Sequence, residues 1–136
     1  MHQKFEWILY LALAKELLVF HSTEQELNTN DNIKEAYSRT VISRAYYAAF
    51  CTARNYLRDT LNIRISKVDA HISVISEFKE QRELKNSHNI SNTLQSLRNH
   101  RNMADYDDIC KIHLDGVAQH AIKESQRVID LISALS

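Results

Sequence analysis

Apolar residues recur every three or four positions through most of this chain, and short polar clusters interrupt the pattern. The final stretch shows the spacing well, with apolar residues at Leu114, Val117, Ala121, Val128, Ile132 and Leu135. Asn, Ser, Thr and Asp, which tend to end helices, gather at 21–31, 59–66 and 85–92, with a weaker break at 107–108. The pattern predicts five helices, over roughly 3–20, 32–58, 67–82, 91–106 and 111–135.

Three details refine this pattern. The segment 41–53 is apolar nearly all round, which predicts a central helix packed on several sides. Ser66 is followed three residues later by Asp69, which predicts a capping box in the first turn of the third helix. The apolar run 7–14 is too short to span a bilayer and is flanked by charges, so we expect a core helix there and not a signal peptide or a membrane span.

Composition narrows the fold class. The chain has 136 residues, no proline and one glycine, so little in it interrupts helices, and 44% of it is hydrophobic. We therefore expect a single domain, 1–136, with an all-α fold: an antiparallel helical bundle of about five helices.

Charge and cysteine usage limit the function classes. Lys and Arg total 17 and Asp and Glu total 17, so nucleic-acid binding would need a local cluster or a dimer. Cys51 and Cys110 form neither a zinc pattern nor a secreted disulfide framework, which favours a reducing cytoplasm. Glycine-rich phosphate loops, zinc-protease motifs and nucleophile elbows are absent from the sequence, and we expect neither a metal nor a cofactor.

Two predicted helices carry residues suited to chemistry. On the second, Arg44, Tyr47, Cys51, Arg54 and Arg58 share one stripe, which is either a buried ion-pair network or the floor of an anion-binding cleft. On the fourth, the stripe Ile90, Leu94, Leu97 leads by helical steps to Arg101, beside the core. Asp105 follows Arg101 by four residues and Arg98 by seven. The simpler interpretation is a partly buried Arg–Asp pair that locks the bundle, with Arg44 able to join it.

Three segments resemble a known family in order and spacing. These are S-R-A-Y-Y-A-A-F-C-T-A-R at 43–54, A-H-I-S-V-I-S-E-F at 70–78 and L-R-N-H-R-N-M-A-D-Y-D at 97–107. Together they resemble a compact prokaryotic branch of the HEPN family, over roughly residues 5–135. The resemblance implies a helical bundle with a four-helix core, usually a homodimer in which functional residues of two protomers meet. Many HEPN proteins are metal-independent endoribonucleases in toxin–antitoxin pairs or phage defence, often partnered by a minimal nucleotidyltransferase, whereas others are non-catalytic binding domains.

The chain departs from the nuclease pattern at one position. Nuclease-active HEPN proteins typically carry an arginine, a following polar residue and then a histidine four to six residues further on, whereas here Arg101 and Asn102 lead to Asp105 and Tyr106. An ionised carboxylate cannot protonate a leaving oxygen at neutral pH. The candidate catalytic residues are Arg101, Asp105 and Arg98, and the candidate binding residues are Arg44, Tyr47, Asn102, Tyr106 and His71.

Histidines elsewhere are weaker substitutes. His71 shares a stripe with Val68, Ile72 and Ile75 and is expected to face inward, where a lone histidine is more often a core residue than a ligand. His100 points across its helix from Arg98 and would be a poor partner for it within one chain. Three hypotheses remain. The first is a metal-independent ribonuclease, and the second is a non-catalytic module in which the same arginines and Tyr46, Tyr47 and Tyr106 hold a nucleotide, an RNA end or a partner protein. The third is a bundle whose Arg–Asp network serves packing alone.

Overall fold

Helices form nearly all of the regular structure in the computed structural model, which describes residues 4–25 and 31–135. Five α-helices occur in these ranges: α1 (Ile8–Gln25), α2 (Asp31–Asn55), α3 (Ala70–Glu80), α4 (Ser87–Tyr106) and α5 (Leu114–Ser133). A π-helical turn, Tyr56–Thr60, continues α2, and the described residues contain no strand. The all-α helical bundle predicted from the sequence is confirmed.

The central helix of the bundle is α2. It packs against α1, α4 and α5 and also touches α3. Its buried residues include large and small side chains, and the small ones let neighbouring backbones approach closely. These fully buried residues are Val41, Ile42, Ala45, Tyr46, Ala48, Ala49 and Ala53. The prediction of a helix buried on several sides is therefore confirmed, and α2 supplies one wall to each site described below.

Two predicted helix breaks include residues that are helical in the structure. Residues 21–25 belong to α1, although the polar cluster that begins at His21 predicted a break there, and residues 26–30 lie outside the described ranges. The polar segment 87–92 belongs to α4, because buried serines serve packing instead of ending the helix. Ser91 donates a hydrogen bond from Oγ to the Ile75 carbonyl oxygen, at 3.0 Å. The chain turns instead at Asn86, which has a left-handed backbone (φ 62°).

The connection from α2 to α3 contains the second break where the sequence predicts it. The π-helical turn ends in a bond from Leu61 N to the Tyr56 carbonyl, and Asn62 takes a left-handed backbone (φ 55°). The predicted capping box is wrong in position: Ser66 Oγ accepts from Asp69 N at 3.4 Å, but α3 begins only at Ala70. The serine thus orders the turn that precedes the helix, because its hydroxyl competes locally for backbone amides.

The C-terminal end of α4 is held by α2. Arg39 donates through Nη1 to the Ala104 carbonyl at 2.9 Å and to the Met103 carbonyl at 3.4 Å, near the helix end where carbonyls lack partners inside the helix. The weak break at 107–108 is confirmed, since Asp107 is extended. Helix α5 then begins at Leu114, capped by His113, whose Nδ1 accepts from Gly116 N at 3.1 Å. No helix among the described residues is both long and apolar enough to cross a membrane.

Candidate functional site

Arg101 lies at the centre of the candidate site, between α2 and α4. Its Nη1 donates to Asn102 Oδ1 at 2.9 Å, and its Nη2 donates to the hydroxyl oxygen of Tyr47. Its Nε lies 2.9 Å from Asp105 Oδ2, but the N–H is not aimed at the carboxylate, so Nε makes no hydrogen bond within the described part of the chain. The side chain is only 11% exposed. The predicted Arg101–Asp105 pair is thus present as a contact between charges.

Three tyrosine rings surround this guanidinium. Its central carbon lies 4.9 Å from the ring centroid of Tyr47, 5.5 Å from that of Tyr106 and 5.7 Å from that of Tyr46. Each separation is within the range of a cation–π attraction. Tyr106 is 70% exposed, so this side of the guanidinium has an aromatic ring that is open to solvent.

His71 joins the cluster from α3. Its Nδ1 shares a hydrogen bond with the Tyr46 hydroxyl, and its ring stacks on Phe50 at a centroid distance of 4.3 Å. Burial lowers the pKa of His71, and the positive charges of Arg101 and Arg98 lower it further. His71 is therefore mostly an uncharged imidazole at neutral pH.

The inward stripe predicted for α3 is wrong in two members. Val68 lies before the helix and is exposed, and Ile72 is exposed as well. The buried residues of α3 are Val74, Ile75 and Phe78, three, four and seven positions after His71. His71 thus lies at the edge of the buried face, half-buried between the core and the Arg101 side chain.

The phenols near Arg101 keep their protons at neutral pH. Burial raises the pKa of Tyr47, although the positive charge of Arg101 acts in the opposite direction. Burial also raises the pKa of Tyr46, well above its ordinary value. Each phenol is therefore available at neutral pH as an O–H donor.

Arg98 borders the same group of side chains. Its positive charge acts on both Tyr46 and His71, and its Nε is buried without a hydrogen-bond partner among residues 4–25 and 31–135. We call Tyr46, Tyr47, His71, Arg98, Arg101, Asp105 and Tyr106 the Arg101 cluster. His100 is not one of these residues; burial lowers its pKa, and the positive charge of His120 on α5 lowers it further.

Arg44 does not join the Arg101–Asp105 pair. Its guanidinium packs over the ring of Tyr10 on α1, with 4.8 Å between the guanidinium carbon and the ring centroid. Arg44 and Asp105 nevertheless line the same open hollow, of about 340 Å³. Asp105 takes its second polar contact from Ser43, whose hydroxyl donates to Oδ2 at 3.3 Å.

The stripe predicted on α2 is not a buried ion-pair network. Arg54 bonds to the side-chain oxygen of Asn55 and packs over the ring of Trp7 at 5.5 Å. Arg58 pairs with Asp59 at 2.8 Å in an exposed position. The ion-pair network is therefore absent at Arg54 and Arg58, and the anion-binding cleft stays a prediction.

Ser43 and Phe50 belong to the site although the sequence did not predict them there. Neighbouring residues on a helix point about 100° apart, so Tyr46 and Tyr47 face different directions on α2. Both reach Arg101 because this arginine lies between their rings. The adjacent tyrosines in the segment 43–50 were the available signal. No three His, Cys, Asp or Glu side chains of the described chain are grouped so that they could hold a metal ion.

The fold and the site define the class of protein. It is an all-α bundle in which α2, α3 and α4 bring an arginine, a histidine and three tyrosines together. A family model described as HEPN domain matches residues 23–135, and the chain belongs to the HEPN family. Membership indicates an RNase or nucleotide-related role or a binding role. No curated protein and no solved structure matches the chain.

Proposed function

We propose that this protein binds single-stranded RNA at the Arg101 cluster, with Arg101 on a phosphate and Tyr106 stacked on a base. The observation that carries the proposal is an arginine framed by three tyrosine rings, one of them exposed. Single-stranded nucleic acids are bound through cations that meet the phosphates and aromatic rings that stack on the bases. Family membership supports the same class of ligand.

In this proposal, the carboxylate of Asp105 occupies the position beside Arg101 that an RNA phosphate would take. It is 27% exposed and holds Arg101 by charge alone. A phosphate offers more acceptor oxygens to a guanidinium than this carboxylate uses, and it can meet the planar fork in a bidentate way. The phosphate therefore displaces Asp105, which keeps its contact with Ser43.

The test is the affinity of a fluorescein-labelled decauridylate RNA, measured by anisotropy. Arg101→Ala should weaken binding at least tenfold, and Arg101→Lys should restore it only in part, because lysine lacks the bidentate fork. Arg82→Ala, which removes an exposed arginine next to α3, is the matched control. Equal affinity of the wild type and Arg101→Ala would exclude the proposal and leave the Arg101–Asp105 pair with a packing role.

Metal-independent RNA cleavage is the second candidate, and the position of His71 favours it. When Nδ1–H donates to the Tyr46 oxygen, Nε2 is the ring nitrogen that accepts a proton. In the proposed step, Nε2 takes the proton of a ribose 2′-hydroxyl, and the 2′-oxygen bonds to the adjacent phosphorus. The bond from phosphorus to the 5′-oxygen breaks, and Tyr47 protonates that oxygen. Arg101 stabilises the charge on the phosphate oxygens and on the Tyr47 phenolate that remains.

Cleavage in EDTA that leaves 2′,3′-cyclic phosphate ends would be the signature of this reaction. His71→Gln and Tyr47→Phe should abolish cleavage and retain RNA binding, because neither carries the cation for the phosphate. Binding without turnover by the wild type would leave the chain as a non-catalytic module.

The biological setting is also a proposal. We infer a cytoplasmic homodimer that acts in a toxin–antitoxin pair or in antiviral defence, beside a nucleotidyltransferase-type antitoxin or a protein of a defence complex. The resemblance of the three sequence segments supports it. A neighbouring nucleotidyltransferase gene would favour the toxin pair, whereas nuclease or helicase genes would favour a defence assembly.

A further inference from the structure

A second basic site lies at the far end of α2. A cleft of about 510 Å³ opens between the end of this helix and the segment that leads to α3, and its lining residues are Arg54, Arg58, Arg64, Ile65, Ser66, Lys67 and Ala70. Four of these residues carry positive charges, and none of these described lining residues is acidic. We call this site the basic cleft.

The positively charged side chains of the basic cleft differ in whether they have an ion-pair or hydrogen-bond partner. Arg58 is paired with Asp59, which also meets Lys4 at 3.2 Å. Arg64 and Lys67 are exposed and have no hydrogen-bond or ion-pair partner in the described ranges. Asp69 follows in the chain, but it does not line the cleft. Two positive charges are thus left for an anion.

The basic cleft and the Arg101 cluster lie along the same helix. Tyr47 and Arg54 are seven residues apart, so they face the same side of α2, and Arg58 follows four residues later in the π-helical turn that continues this helix. At 1.5 Å per residue, Arg54 and Arg58 lie roughly 10 and 16 Å beyond Tyr47 along the axis. The α3 side is also continuous, because Ala70 lines the cleft and the next residue, His71, belongs to the Arg101 cluster.

We propose that the basic cleft is a second phosphate-binding subsite for the RNA strand that the Arg101 cluster holds. The inference rests on the proposed function, and it adds the direction in which the RNA strand runs and the minimum number of nucleotides that reaches both sites. A stacked strand advances by about 3.4 Å per nucleotide along its axis, so the distance between the two sites takes roughly three to five nucleotides. A trinucleotide occupies the Arg101 cluster alone, whereas a decanucleotide reaches the cleft.

The test compares a labelled triuridylate and a labelled decauridylate on the wild type and on the double variant Arg64→Ala/Lys67→Ala. Binding of the decamer should weaken about tenfold in the variant, and the slope of log K against log salt should become shallower by about 1.4, or about 0.7 for each phosphate that is no longer neutralised. Binding of the trimer should not change. Both substitutions are on an exposed segment, and circular dichroism and thermal melting will check that the fold is retained.

Lys123→Ala/Arg127→Ala is the matched control, because it removes the same charge from exposed positions of α5. An unchanged decamer affinity in Arg64→Ala/Lys67→Ala overturns the inference. The inference is also overturned if the control pair weakens decamer binding equally, or if Arg64→Ala/Lys67→Ala weakens trimer binding as much as decamer binding. Either result would mean that the effect comes from net charge alone. Arg101→Ala tests the proposed function separately, since it should weaken the binding of both the trimer and the decamer. If the wild type binds neither oligonucleotide, both proposals are excluded.

Discussion

The Tyr46 hydroxyl on α2 and Nδ1 of His71 on α3 share a hydrogen bond that closes the Arg101 cluster on its α3 side. The two rings also stack, with 5.6 Å between their centroids. The bond fixes the imidazole beside two arginines, where burial and their charge lower its pKa. The charge state of this one ring therefore links the pH of the solution to the stability of the bundle.

Folding stability should fall as the pH drops below about 6.5, the ordinary pKa of histidine. Because the pKa of His71 is lower in the folded chain, the unfolded chain binds the proton more readily in this range, and acid favours unfolding. Urea unfolding at pH 7 and at pH 5 will measure the decrease in the free energy of unfolding. His100, whose pKa is also lowered, contributes to the same slope.

His71→Gln should make the pH dependence shallower, because glutamine does not titrate. His88→Gln, a change at an exposed position of α4, is the control and should leave the slope unaltered. A slope identical in the wild type and in His71→Gln would show that His71 is not held uncharged by the fold.

Asp105→Asn should lower stability and raise RNA affinity together. The change leaves the guanidinium of Arg101 without its counter-charge, which costs about 1 kcal/mol for a partly exposed pair. It also removes the carboxylate with which a phosphate competes. Urea unfolding and anisotropy with decauridylate give the two readouts, and Asp107→Asn, one residue beyond α4, is the control. Weaker RNA binding by Asp105→Asn would mean that Asp105 positions the site instead of blocking it.

Arg39→Ala should lower the free energy of unfolding by about 1 kcal/mol, because it removes charged donors from the last carbonyls of α4. Chemical denaturation will measure the change. The neighbouring pair between Arg39 and Glu35 spans 3.9 Å and is exposed on the Glu35 side, so Glu35→Gln should change stability by less than about 0.5 kcal/mol. An equal effect of both substitutions would place the stabilisation in the ion pair and not at the helix end.

Ser91→Ala should destabilise the chain by about 1 kcal/mol, because it removes the α3–α4 hydrogen bond. Ser96→Ala, at an exposed position of the same helix, should be neutral or slightly stabilising, since alanine is the better helix former. Thermal melts of the two variants side by side provide the comparison. If both melt alike, the buried serine contributes nothing beyond its volume.

Helical periodicity is enough to predict the all-α bundle, the buried α2 and the Arg101–Asp105 pair, because each follows from the spacing of residues inside individual helices. The breaks predicted at 21–31 and 85–92 are too wide because polar residues do not always end a helix, and Ser91 uses its hydroxyl to reach the Ile75 carbonyl. The approach of His71 to Tyr46 depends on how α3 lies against α2. Spacing along the chain carries no information about that contact, so the sequence offers His71 both as a core residue and as a binding residue and does not decide between them.

The π-helical turn at Tyr56–Thr60 makes the basic cleft sensitive to chain length. Its bond from Leu61 N to the Tyr56 carbonyl spans five residues instead of the four of an α-helix. Removing one residue here would restore α-helical winding and rotate everything that follows by about 100° relative to α2. Arg64 and Lys67 would then move away from Arg54 and Arg58, although every cation was still present. A relative of the same composition but one residue shorter at this turn would thus keep the Arg101 cluster and lack the proposed second phosphate-binding subsite.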